Sequence, residues 1–254
     1  MTLKSGTVFM TTLTHDGKLD YLMAKAFYMT PSQERLTFYM PRQTSLLAAG
    51  YNHLWCQALN LPQKHDLRWF AMLHSDIVPE DFWVDKLIAE AEKHDADVMS
   101  AIVPIKENSG VTSTAISGPD NFTRFARLTM KQVYHPSMPD TFGIRELLAG
   151  RAFNVDADLS DSRLLVNTGC FVCRVDREWC GRVHFTINDR VSQQLGGAFA
   201  YAVEPEDWYF SRRVAEEGGK VMATKVVKLE HIGSRSYKSN EVWGDEMDPA
   251  TLTM

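Results

Sequence analysis

Blocks of apolar residues alternate with polar turns along the first hundred residues, and the blocks predict strands and helices in turn. Runs rich in β-branched and aromatic residues are typical of buried strands, and they lie at 7–14, 36–40, 68–74 and 97–105. Apolar residues at helical spacing predict helices between them, at 19–28, 44–59 and 79–93. This alternation predicts an α/β fold with an open, mostly parallel sheet flanked by helices.

Two residues mark expected helix starts in this region. Thr44 stands where an N-cap side chain belongs, and Pro79 suits a first helical turn, followed by two acidic residues that favour the same end of the helix dipole. We therefore expect a helix to begin at each of these positions.

After residue 105 the pattern becomes less regular. Residues 122–134 alternate enough for a hairpin, 136–162 show little periodicity, and the last twenty residues look irregular. Apolar runs at 164–176 and 220–231 predict further strands, and 204–219 predicts a helix that ends at two glycines. With no internal repeat or low-complexity linker, we expect one domain over 1–254, with an inserted hairpin and loop region in its second half.

Composition narrows the classes of function. A chain of 254 residues with 44% hydrophobic residues suits a globular protein, and no window approaches a transmembrane helix or a signal peptide, so we expect a cytoplasmic location. The net charge of -5 does not favour a protein whose main role is binding nucleic acid. Cys170 and Cys173 lie three apart in an expected strand, where they point to opposite faces, which argues against zinc and for buried thiols.

The most informative polar residues follow the third apolar run. In WFAMLHSD, His74 and Asp76 lie where that strand should leave the sheet, and ligands of open parallel sheets bind beyond the carboxyl ends of the strands. An imidazole and a carboxylate two residues apart can both face a divalent metal such as Mn²⁺. Alternatively, Asp76 only caps the helix expected at Pro79.

Four patches in order resemble the GT-A glycosyltransferases, in particular family 2-like members with a D-x-D motif, here in the variant His-Ser-Asp. They are RQTSLLAAGYNHL, HSDIVPEDFW with the following IVPIK, PEDWYFSRRVAEEGG, and LEHIGSRSY. The resemblance implies a GT-A-like catalytic domain, with a nucleotide-sugar-binding half at 1–105 and an acceptor-side half at 106–254. It also implies a nucleotide-sugar donor, UDP- or GDP-linked, and Mn²⁺ or Mg²⁺ as cofactor.

Residue by residue, the resemblance makes Asp76 and His231 the protein ligands of the metal, which would hold the donor's pyrophosphate. His74 takes the first position of D-x-D, where an aspartate is usual. Other residues would lie around the nucleoside and phosphates by position: Thr12, Thr14, Arg42 and Lys106.

The same resemblance assigns the acceptor side. Glu206 and Asp207 match an acidic pair that includes the general base, Asp207 being the better candidate, although they also suit a plain first helical turn. Asn167, Gly169 and Trp208 would contact the acceptor, although Gly169 also suits a bulge.

The leading hypothesis is a metal-dependent glycosyltransferase that acts on a hydroxyl of a glycan, a lipid-linked saccharide or a hydroxylated DNA base. A modest basic stripe in the insertion leaves DNA open as a partner without favouring it, and its members are Arg124, Arg127, Lys131 and His135. Two alternatives stay open. A nucleotidyltransferase should carry a glycine-rich basic loop after the first strand, where TLTHDGKLD has one glycine and one lysine. The other is a non-catalytic glycan-binding protein of the same fold.

Overall fold

The computed structural model describes residues 5–61, 66–117, 126–149, 162–193, 196–233 and 235–244. Within these ranges the strands are β1 (Thr7–Thr14), β2 (Thr37–Gln43), β3 (Leu67–Leu73), β4 (Ile77–Pro79), β5 (Val98–Ala101), β6 (Val111–Ile116), β7 (Ala126–Thr129), β8 (Thr141–Phe142), β9 (Leu164–Leu165), β10 (Cys170–Arg174), β11 (Asn188–Gln193), β12 (Phe199–Glu204), β13 (Val221–Thr224), β14 (Leu229–Ile232) and β15 (Ser236–Lys238). The helices are α1 (Tyr21–Tyr28), α2 (Leu47–Asn60), α3 (Trp83–His94), α4 (Met130–Val133), α5 (Ile144–Ala149) and α6 (Glu206–Glu216), with a short 3-10 helix at Glu178–Arg182.

A seven-stranded, mostly parallel sheet forms the centre of the fold, in the order β2-β1-β3-β10-β5-β13-β8. β2, β1 and β3 pair in parallel, as do β5 and β13, whereas β10 runs antiparallel between β3 and β5, and β8 antiparallel beside β13. The α/β fold class expected from the sequence is confirmed. The carboxyl ends of the five parallel strands therefore lie at one edge of the sheet, which also receives the start of β10.

Apolar residues cover both faces of this sheet, as a central sheet flanked by helices requires. On one face, Phe9 and Phe70 pack with Tyr51 and Trp55 of α2 and Phe210 of α6. The other face packs against α1 and α3, through residues that include Met23, Phe27, Leu87 and Ile88. Alternate residues of each buried strand contribute to the two cores, which is why these strands are apolar throughout rather than alternating.

The predicted elements of the first half are largely confirmed, with three corrections. β2 does not stop at Pro41 but continues to Gln43, since an edge strand tolerates a residue without an N–H. Thr44 does not cap α2, which begins at Leu47 without a side-chain cap. Pro79 ends β4 instead of opening a helix; the alternative in which Asp76 caps a helix there is thus wrong.

The second half departs further from the sequence prediction. Residues 118–125, including Arg124, lie outside the described part, and the hairpin of the insertion is formed by β6 and β7, after which α4 begins. The run at 220–231 is not one strand but two, β13 in the central sheet and β14 in a small sheet ordered β15-β14-β4. The β11–β12 hairpin has no counterpart in the prediction, and it exposes Phe199 and Tyr201.

The prediction that Cys170 and Cys173 are buried thiols on opposite faces of a strand is confirmed. Cys170 packs in one core and Cys173 in the other, on opposite faces of β10, and both are free thiols. Burial raises the pKa of both. Among the described helices, none is both long and apolar enough to cross a membrane.

Candidate functional site

Most of the predicted site residues lie at the edge where the parallel strands end. His74 and Asp76 follow β3, Lys106 follows the extension of β5, and Asn167 and Gly169 precede β10. Because the carboxyl ends of parallel strands meet at one edge, residues far apart in the chain become neighbours there.

The first cluster brings Asp76, which follows β3, next to His231 of β14. β4 and β14 pair antiparallel with Ile77 opposite His231, and the Ile232 N–H donates to the Asp76 carbonyl at 2.8 Å. This pairing places His231 Nε2 3.4 Å from Asp76 Oδ2. The His231 ring is oriented from its other nitrogen, since Nδ1 lies 2.8 Å from the Pro104 carbonyl oxygen, to which it can only donate. Nε2 therefore faces the carboxylate, to which it can donate only when the ring is protonated, whereas in the neutral ring it offers a lone pair.

Asp76 is held as an anion by its neighbours. Partial burial raises its pKa, but hydrogen bonds with His231 and Lys106 outweigh that effect and hold the pKa well below its usual range. Lys106 Nζ lies 2.5 Å from Asp76 Oδ2, the same oxygen that His231 faces. An oxygen anion and an imidazole nitrogen thus converge beside one ammonium group.

The Asp76 and His231 pair suits a divalent cation. Ligand atoms about 2.1 Å from a metal and at right angles to each other lie about 3 Å apart, close to the 3.4 Å between Oδ2 and Nε2. The hydrogen bond from Nδ1 to a carbonyl is the usual support of a metal-binding histidine. The described residues hold no cluster of three or more His, Cys, Asp or Glu suited to a metal. Two protein ligands with the rest from phosphate and water is the pattern of Mg²⁺-type sites in phosphate-binding enzymes.

His74 is turned away from this pair. Its Nε2 is hydrogen-bonded to the hydroxyl of the buried Tyr51, and the two rings stack with centroids 5.8 Å apart. Its Nδ1 faces Gly169, since a Cβ built on that glycine would lie 3.0 Å from it. Burial lowers the pKa of His74 to about 4, so the ring is neutral. The hydrogen bond to Tyr51 thus holds the His74 ring between α2 and the turn before β10.

The second cluster surrounds the predicted base. Asp207 is 7% exposed, and its carboxylate accepts hydrogen bonds from Asn167 Nδ2 at 3.0 Å and from the Trp208 N–H at 2.8 Å. Burial, followed by the neighbouring Glu206, raises the pKa of Asp207 to about 7, against the opposing effects of these donors and of Arg127. Burial also raises the pKa of Glu206. Asp207 is therefore a carboxyl group that can take up a proton near neutral pH.

The turn at residues 167–169 connects the two clusters. Asn167 donates to Asp207 through its amide nitrogen and accepts from the Gly169 N–H at 2.6 Å through its amide oxygen. The Gly169 carbonyl accepts from the His74 N–H at 2.7 Å. A Cβ at Gly169 would lie 2.6 Å from both Asn167 Oδ1 and Ile77 Cδ1, so the turn requires a residue without a side chain.

The remaining predicted residues lie less directly at the site. Thr12 and Thr14 are buried in β1, and Thr14 Oγ1 accepts from the Gly17 N–H at 3.1 Å, while Arg42 is exposed on β2 opposite Leu13. Trp208 is buried, and its Nε1 donates to the Ser113 carbonyl at 2.8 Å. Their roles in binding nucleotide or acceptor stay predictions.

Two residues at the site were not identified from the sequence. Tyr51 lies on the apolar side of α2, and the available signal was that a buried tyrosine needs a partner for its hydroxyl. Arg127 was counted as part of a surface stripe, but it lies over the Trp208 ring, 4.3 Å from the centroid, and burial lowers its pKa. It supplies positive charge near Asp207, which residue spacing does not reveal.

Comparisons with known proteins agree with the fold and go no further. No protein-family model matches the sequence, and no curated protein does. Protein A197 from STIV has a similar structure, with a TM-score of 0.50 over 95% of each chain at 13% identity, which shows a shared fold.

UDP-N-acetylglucosamine pyrophosphorylase from Trypanosoma brucei is a weaker neighbour, with a TM-score of 0.30 and 12% identity over 65% of this chain and 30% of the enzyme. The Entamoeba histolytica counterpart gives a TM-score of 0.31 and 10% identity over 79% of this chain and 54% of its own. The chain thus spans about a third to a half of these two proteins, and at such scores the likeness carries no argument about activity.

Proposed function

We propose that the chain transfers a glycosyl group from a nucleotide-sugar donor to a hydroxyl acceptor, with a divalent cation bound by Asp76 and His231. Two features at one edge of the sheet carry the proposal: the carboxylate and imidazole of Asp76 and His231, 3.4 Å apart, and a buried carboxyl group whose pKa is about 7. Neither cluster alone indicates transfer. Together they supply a site for the leaving diphosphate and a base for the incoming hydroxyl.

Each group has a distinct task in this reaction. When bound, the cation offsets the charge of the diphosphate and stabilises it as the leaving group. Asp76 and His231 would hold the cation, and Lys106, beside Asp76, would supply positive charge to the same phosphates. As the bond from the acceptor oxygen to the sugar carbon forms and the bond from that carbon to the diphosphate breaks, Asp207 takes the hydroxyl proton. Asn167 fixes the Asp207 carboxylate through its 3.0 Å hydrogen bond.

The test is a screen of UDP- and GDP-sugars for Mn²⁺-dependent hydrolysis and transfer, comparing wild type with Asp76→Asn. We expect the substitution to reduce turnover by about 100-fold or more, because a cation at the leaving group is worth several kcal/mol, while the melting temperature changes little. Asp81→Asn is the matched control, since Asp81 is exposed and pairs with Thr30 and Lys25 instead. Equal turnover in wild type and Asp76→Asn would contradict the proposal.

The products separate the alternatives. Glycosyl transfer or hydrolysis releases a nucleoside diphosphate, whereas a nucleotidyltransferase supplied with a nucleoside triphosphate and a sugar phosphate releases pyrophosphate. A glycan-binding protein without activity would show neither product and no metal-dependent heat on titration with UDP or GDP.

A further inference from the structure

Lys106 contacts the carboxylate oxygen that a cation would use. Its Nζ lies 2.5 Å from Asp76 Oδ2, the oxygen that also faces His231 Nε2 at 3.4 Å. A divalent ion bound between Oδ2 and Nε2 would lie within about 2 to 3 Å of both atoms, and therefore within a few ångströms of the ammonium group on Oδ2. The repulsion between the two positive charges should drive the ammonium group away from Asp76 when the ion binds.

The surroundings are shaped to hold the lysine stem. A Cβ built on Gly233 would lie 2.9 Å from Lys106 Cδ and 3.4 Å from Cγ, so the missing side chain of Gly233 makes room for Lys106. The segment is also fixed to the last strands, because the carbonyl of Pro104 lies 2.8 Å from His231 Nδ1. Only the end of the lysine side chain has to move, and it is one-third exposed.

A released ammonium group has one obvious new partner at this edge. A diphosphate bound to the ion brings negative oxygens to within a few ångströms of Asp76, and a lysine is a good point-charge partner for phosphate. The same side chain can thus neutralise Asp76 before loading and the diphosphate after it.

We propose that Lys106 is an exchangeable counter-ion, which neutralises Asp76 in the free protein and transfers to the diphosphate when the divalent ion takes its place. This inference rests on the proposed function. Under this proposal the ion and the nucleoside diphosphate bind cooperatively. The ion releases Lys106 to contact the diphosphate, and the diphosphate draws Lys106 away from Asp76, so each ligand strengthens the binding of the other.

The test measures binding rather than turnover. Free Mn²⁺ is counted by electron paramagnetic resonance in titrations of wild type, Lys106→Met and Lys106→Gln without nucleotide. Removing the competing ammonium should tighten Mn²⁺ binding by about three- to tenfold, the range expected for a partly exposed ion pair. Calorimetry with UDP and GDP in saturating Mn²⁺ should show about tenfold weaker nucleotide binding in both variants, since a charge-assisted phosphate contact is lost. A lysine with only a structural role would weaken both or neither.

Lys25→Met is the matched control, because Lys25 pairs with the exposed Asp81 at 3.3 Å and should change neither affinity. Opposite changes in the two affinities, confined to the Lys106 variants, support the proposal. Unchanged or weaker Mn²⁺ binding in both Lys106 variants, with wild type binding ion and nucleotide, overturns the exchange and leaves the proposed function standing. If neither wild type nor the variants bind Mn²⁺, even with UDP or GDP, the exchange and the metal-dependent function both fall.

Discussion

Replacing Asp207 with asparagine should make the protein more stable at neutral pH while removing its candidate base. Burial, then the charge of Glu206, raises the pKa of Asp207 from 3.8 to about 7. Because the folded-state pKa lies above the unfolded one, the contribution of this carboxyl to stability is largest below pH 3.8 and is lost as the pH rises through about 7.

The size of the effect follows from that shift. A difference of about three pKa units at about 1.4 kcal/mol each means that ionised Asp207 costs about 4 kcal/mol of folding free energy above pH 7. Asparagine avoids this cost, but it turns one acceptor oxygen into a donor. One of the hydrogen bonds from Asn167 and the Trp208 N–H is then lost, at about 1 kcal/mol. We expect a net gain of about 3 kcal/mol above pH 7.

Urea unfolding followed by tryptophan fluorescence, at intervals from pH 4 to pH 8.5, measures this difference without any knowledge of the substrate. The advantage of Asp207→Asn should be small or negative near pH 4, grow from there to about pH 7 and then level off. Asp189→Asn, at an exposed position of β11, is the control and should give a nearly constant difference. A constant difference for Asp207→Asn as well would mean that the carboxyl is not desolvated, and the assignment of a base at neutral pH would lose its physical basis.

Three further outcomes follow from the same geometry. Turnover should fall about tenfold per unit as the pH drops below about 7, and Glu206→Gln should move this decline to lower pH; initial rates from pH 5.5 to 8.5 test both. Gly169→Ala should destabilise the protein by about 1–3 kcal/mol and reduce turnover, whereas Gly181→Ala, whose Cβ would meet no atom within 4 Å, should do neither in melting and rate measurements. Glu204→Gln should cost about 3–5 kcal/mol in urea unfolding, because it breaks the buried bidentate pair with Arg212, with contacts of 2.6 and 2.9 Å.

The first half of the fold could be predicted from the sequence because its strands are buried on both faces. In a run such as RWFAMLH, consecutive apolar residues indicate a strand that is buried on both faces, and the helices between such runs show apolar stripes. The predictions were wrong where contacts between residues far apart in the sequence determine the local structure. Pro79 ends β4 because β4 pairs with β14, about 150 residues further on, and α3 instead begins after Phe82, which adopts a left-handed φ of 61° that its sequence does not favour.

The β11–β12 hairpin was missed for a different reason. Val191, Phe199 and Tyr201 are exposed, so the strands lack the alternation of buried and solvated positions from which a strand is recognised. At the site, the order of motifs indicated Asp76, His231 and Asp207, but only the fold places the first two 3.4 Å apart. The raised pKa of Asp207 depends on burial by neighbours that are remote in sequence, so the local sequence cannot predict it.

The turn at residues 167–169 connects the two clusters of the candidate site through hydrogen bonds. His74 donates its N–H to the Gly169 carbonyl, the Gly169 N–H donates to the Asn167 side chain, and Asn167 donates to Asp207. Three hydrogen bonds therefore connect the end of the segment that carries Asp76 to the Asp207 carboxylate. On the opposite side, Tyr51 stacks on the His74 ring and is hydrogen-bonded to it, which restricts the position of residue 74. The histidine side chain contributes to this arrangement only through its contact with Tyr51, since the link to Gly169 is made by the backbone N–H of residue 74.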